Sequence, residues 1–101
     1  MSYDGVVGVD WSKRGEYMRH RHGVTAVHAD EALADAGRVV LDPDPASESG
    51  RSVRTVGWSP SAGRLLTIIT LDHEGTIYGV NGWESNPTDQ RRYNDAQEGR
   101  S

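Results

Sequence analysis

The run Leu65-Leu66-Thr67-Ile68-Ile69-Thr70-Leu71 constrains the fold of this chain more than any other stretch. Both of its alternating faces are apolar or threonine, the pattern of a strand covered on both sides, so other elements have to lie over each face. The chain has 101 residues to do this with. A domain of that size buries roughly 65% of the surface its unfolded form exposes, enough for one core. One small domain follows, with no room for a separate cofactor domain.

The flanking segments supply the cover. Val39 to Leu41, Ser52 to Trp58, Arg64 to Asp72 and Thr76 to Trp83 read as strands. The short connections Ser59-Pro60-Ser61-Ala62-Gly63 and His73-Glu74-Gly75 make the last three a meander of hairpins. Asp42 to Gly50 is a loop, because Pro43 and Pro45 interrupt helix and ladder alike. Upstream, residues 3–9 read as a first strand, and Ser12 is placed to cap a helix reaching about His22. Trp11, Gly15, Met18 and His22 form one stripe of that helix, and Gly23 ends it. Thr25 is placed to cap a second helix with Val27, Ala32, Leu33 and Ala36 on its apolar face. Gly37 then stands where a left-handed terminal residue belongs. Asn86, Pro87 and Asp89 open a last helix running to about Gln97. The expected fold is α+β, in the order β-α-α-β-β-β-β-α, with helices packed on a mainly antiparallel sheet. Residues 1–9 are an N-terminal segment or first strand, 10–97 the domain and 98–101 a disordered tail.

Charge narrows the function classes. Fifteen acidic against eleven basic residues give a net −4, which argues against a general nucleic-acid coat. The total hides unlike blocks. Residues 11–22 hold Lys13, Arg14, Arg19 and Arg21 against Glu16, a local +3. Residues 51–64 hold Arg51, Arg54 and Arg64 with no acid, another +3. Residues 28–50 carry six acids against Arg38, a local −5. If the first helix lies near the hairpin strands, the two basic blocks form one patch able to hold a phosphodiester. The alternative is that they are solvated faces of an arginine-rich domain. Zero cysteines remove disulfides, thiol catalysis and cysteine zinc sites, and nothing marks an oxidising compartment. The opening residues lack the features of a signal peptide and no run is long enough to span a membrane, so a cytoplasmic location is expected.

The order of these features is also familiar. Arg21-His22-Gly23-Val24 follows a basic helix; a short acidic helix and an Asp-Pro loop come next, then Val56-Gly57-Trp58-Ser59 and Gly63-Arg64-Leu65-Leu66. Gly75-Thr76-Ile77 and Asp89-Gln90-Arg91-Arg92-Tyr93 complete the series. Over about residues 10–95 the chain resembles the BrnT-type toxins of bacterial toxin–antitoxin modules. That resemblance implies a RelE-like fold, metal-independent RNA cleavage that stops translation, no cofactor, and restraint by a small DNA-binding antitoxin. It also implies a homodimer, or a heterotetramer with the antitoxin. Two positions differ from the family pattern. The family's Trp-Asp pair is Trp11-Ser12 here and lies one residue nearer the His-Gly-Val, and its Ser-Ala-Arg strand end is Asn81-Gly82-Trp83.

Metal-free RNA cleavage needs a base for the 2′-hydroxyl, an acid for the leaving oxygen and cations around the phosphate. His22 is the leading proton-transfer group, because an imidazole ordinarily titrates nearest neutrality. Tyr93 or His20 is the second. Arg21 and Arg54, with Arg64 behind them, are the phosphate clamps. Arg19 and Arg51 extend the basic face, and Trp58 or Trp83 offers a platform for a splayed base. Each has a structural alternative. His22 shares a helical stripe with core residues, Arg64 is placed to pair with the acidic loop, and Tyr93, Trp58 and Trp83 are of types that commonly pack core edges. The rival function is a catalytically silent RelE-like interaction module that acts with a DNA-binding partner.

Overall fold

The computed structural model describes residues 8–100. Four strands, β1 (Val39–Leu41), β2 (Ser52–Ser59), β3 (Arg64–His73) and β4 (Thr76–Glu84), form one sheet in that order, every neighbour antiparallel. Three helices, α1 (Gly15–His22), α2 (Ala26–Ala34) and α3 (Pro87–Arg100), pack on it. This is the α+β arrangement expected, and from the first helix onward the elements follow the expected order. Residues 3–7 of the expected first strand lie outside the described residues. Gly8 and Val9 are not strand, and Asp10 makes a single parallel bridge to Tyr78. Its N–H donates to the Ile77 carbonyl at 2.8 Å and its carbonyl accepts from the Gly79 N–H at 2.9 Å.

Covering both faces of β3 is what organises the molecule: Leu66 through Thr70 are all buried. On one face Leu66 and Ile68 meet Met18 of α1, Val24, and Ala29 and Ala32 of α2 in the core. Close approach is possible there because Gly57 has no side chain; a Cβ at that position would stand 2.1 Å from the Ala32 carbonyl oxygen. Trp11 lies in the same way against Gly79, and its indole N–H donates to Asp30 at 2.9 Å.

The other face is covered differently. α3 lies over β1 and β2, yet it carries no apolar stripe, and its docking side is a polar row at Asp89, Tyr93 and Gln97. These positions are four apart and therefore share a helix face. Asn86 caps the helix, its side chain accepting from the Asp89 N–H at 2.9 Å. Pro87 is the first helical residue.

Several local expectations are corrected. Ser12 does not cap α1; its N–H and hydroxyl bond the Asp10 carboxylate, and the helix starts after Arg14 with no side-chain cap. Thr25 does cap α2, in a reciprocal box with His28: Thr25 Oγ1 accepts from the His28 N–H at 3.1 Å, and His28 Nδ1 accepts from the Thr25 N–H. Val27 is 62% exposed and Ala36 lies beyond the helix, so Ala29 and Ala32 form the buried side. Gly23 ends α1 with φ +71°, as read, but Gly37 is not left-handed. Gly37 instead admits Gln97, whose amide donates to the Gly37 carbonyl at 2.7 Å. The last helix continues to Arg100 rather than yielding a disordered tail from residue 98, because a lone Gly99 without a following proline does not stop it.

Candidate functional site

The central cation of the hairpin block, Arg54, is consumed internally. Arg54 sits on the α3 face of β2, its Nε donating to Asp44 at 2.9 Å and Nη1 to Asp89 at 2.8 Å. Its side chain is 12% exposed and the two carboxylates 6% and 0%. Asp89 also accepts from Thr67 Oγ1 at 2.9 Å and from Arg92 at 2.7 Å. Burial alone would raise the Asp89 carboxyl. Hydrogen bonds from Thr67 and Arg92, with the charge and bond of Arg54, outweigh it and hold the group below the ordinary carboxylate range. Asp44 is delivered by the proline loop, where its carboxylate also accepts the Ala46 N–H at 3.0 Å. The hollow of about 290 Å³ beside this network, lined by Arg54, Asp89 and Arg92 among others, thus meets a visitor with its cations already paired.

Other nominated residues are dispersed. Arg64 pairs with Glu84 at 3.3 Å rather than with the acidic loop, because it opens β3 beside the end of β4. The Tyr93 hydroxyl donates to Asp35 at 2.7 Å. Asp35 accepts in addition from the Trp58 N–H at 2.8 Å and the Gly37 N–H at 2.9 Å. Burial raises the Asp35 carboxyl, but these three donors and Arg38 bring it below its ordinary value. Trp58 is 43% exposed, and Arg51 is exposed just before β2. Arg19 forms an exposed pair with Glu16 on its own helix at 2.9 Å.

Three nominated residues do come together. The His22 ring lies 6.0 Å from the Trp83 ring, tilted by 52°. The Arg54 guanidinium stands 5.8 Å from the centroid of the same indole, within cation–π range. Helix, second strand and fourth strand therefore converge on Trp83, with exposed Arg21 next to His22.

Residues that sequence reasoning did not select extend this cluster. Register puts Trp83 opposite Thr67, Asn81 opposite Ile69 and Tyr78 opposite Leu71, all on the α3 face of the sheet. Tyr78 and Trp83 are five apart and would point to opposite faces of a regular strand. A bulge between Ile69/Thr70 and the facing segment of β4 restores Tyr78 to the side of Trp83. Lys13 lies over the Tyr78 ring at 5.6 Å, and Arg14 Nε donates to the Val80 carbonyl at 3.2 Å. Lys13, Arg14, Leu71, His73, Tyr78 and the bulge backbone line an open groove of about 510 Å³. The charges of Lys13 and Arg14 were legible in the basic block; the bulge that brings Tyr78 to them has no sequence signature of its own.

Comparison with known proteins adds no identity: no protein family and no curated protein matches the chain. Among the described residues, no helix is long and apolar enough to cross a membrane.

Proposed function

We propose that the chain acts on single-stranded RNA, as the BrnT-type toxins it resembles do, with a base stacked on Trp83 and His22 transferring the proton. The observation that supports this most is the convergence of His22, Trp83 and Arg54, 22, 83 and 54 residues along the chain, at one edge of the sheet. An aromatic face flanked by an imidazole and cations is the usual recognition chemistry for an unstacked nucleotide. In the cleavage reaction the 2′-oxygen loses its proton and bonds to phosphorus while the P–O5′ bond breaks and the leaving oxygen is protonated. His22 serves one of these transfers, and Arg21 adds positive charge at the phosphate.

A second reading, a catalytically silent RNA- or protein-binding module, is favoured by one specific observation. Arg54 already carries two carboxylates, and Trp83 stands where the family pattern has a cation. Induced expression separates the two. The toxin reading expects growth arrest with RNA decay from the wild type and neither from His22→Gln. Harmless expression of both, with RNA binding retained by the purified protein, would establish the silent module instead.

A further inference from the structure

We propose that the groove at the β4 bulge is a second nucleotide subsite, so that single-stranded RNA runs along β4 from Trp83 past Asn81 to Tyr78. This rests on the reading of Trp83 as a base platform and extends it. α1 packs over β4 on the opposite face, with Met18 against Gly82, and the residues at its two ends reach the two aromatics: His22 at Trp83, and Lys13 and Arg14 at Tyr78 and Val80. Tyr78 and Trp83 face residues four apart on β3, a separation of about 13 Å at the rise of an extended strand. That span accommodates roughly three splayed nucleotides, with the terminal bases on the two aromatic rings and the middle one opposite the Asn81 amide.

The charge pattern fits a phosphate chain. Lys13, Arg14 and Arg21 are exposed and, among the described residues, none has a carboxylate within 4 Å. They lie at both ends of α1 and flank the aromatic row. The track has an end: beyond Tyr78 the hairpin presents exposed Asp72 and Glu74, which repel a further phosphate. Leu71 floors the groove beside Tyr78 and supplies apolar contact for a base.

The test is fluorescence anisotropy of the whole chain with labelled oligouridylates of increasing length. Affinity is expected to rise once the oligomer spans both aromatics. Tyr78→Ala should abolish that rise, weakening the longer oligomers roughly tenfold while leaving a dinucleotide unaffected, and Tyr78→Phe should behave as wild type. Lys13→Ala, an exposed change that spares the fold, should lower the salt dependence of long-oligomer binding by about one phosphate contact. If Trp83→Leu weakens binding but Tyr78→Ala and Lys13→Ala bind every length as wild type, the second subsite is refuted and the Trp83 reading stands. If the wild type binds no oligomer, both fall. Binding of an acidic, aromatic-containing peptide in the groove, with no RNA competition, would assign it to a protein partner and overturn the proposal.

Discussion

Two segments with the same sequence charge, each +3, fold into opposite electrostatic situations. Along β2, Arg54 is drawn into the space under α3 and held by Asp44 and Asp89, so its charge builds structure. Around α1, Lys13, Arg14 and Arg21 stay at the surface, the first two over the Tyr78 and Tyr17 rings, with no carboxylate within 4 Å among the described residues, so their charge remains for a ligand. The difference lies in neighbours. The acidic loop and the first turn of α3 close over β2, whereas among the described residues β4 is flanked by α1 and the Asp10 bridge. Counting charges along a chain shows where cations are; only the packing shows which of them are already spent.

The comparison breaks most readily at the buried network. Asp89→Ala leaves Arg54 and Arg92 facing an empty site and should cost about 3–5 kcal/mol, read as a fall in the urea midpoint. A loss under about 1 kcal/mol would mean that Arg54 is not structural and return it to the candidate phosphate clamps. Gly79→Ala probes the other region: its Cβ would lie 2.2 Å from the Trp11 ring, so that ring must leave its place against β4. We expect about 1–3 kcal/mol of destabilisation by thermal melting, accompanied by weaker RNA binding, although the substitution leaves the ionic network untouched.

Acid titration sharpens the contrast further. Asp89 and Asp35 both lie below their ordinary values when folded, so their contribution is complete above the unfolded carboxylate value near about pH 4 and is lost as pH falls through the folded values. Asp89→Asn should therefore be less stable at neutral pH and have a shallower acid limb in equilibrium unfolding; an unchanged limb would detach Asp89 from acid stability. The smallest expected effect belongs to the open stripe. Lys13→Ala and Arg21→Ala should change stability by no more than about 0.5 kcal/mol, with any deficit confined to ligand binding.

The sequence was most informative where one local rule decides the outcome. The two-faced apolar run located β3, Thr25 and Asn86 are caps in the structure as read, and the short turns gave the meander. It was less informative where distant packing decides. α2 buries Ala29 rather than Val27, because Gly57 lets the helix backbone approach the sheet more closely than a larger side chain would permit. Arg54 looked like a clamp because nothing local reveals that Asp44 and Asp89 meet it from opposite directions. The docking of α3 was hidden for a related reason: its row of Asp89, Tyr93 and Gln97 is polar, and periodicity reports apolar faces. Tyr78 escaped selection through the bulge, which inverts the strand's alternation between it and Trp83.

The contrast between spent and available cations is tested most directly by mapping amide and side-chain shifts on adding a short oligouridylate to the isotope-labelled protein. The account predicts perturbations along Lys13, Arg21, His22, Tyr78, Asn81 and Trp83, with Asp89 and Arg92 silent. Perturbations centred on Ala46, Arg54, Thr88 and Arg92, with none along β4, would contradict it.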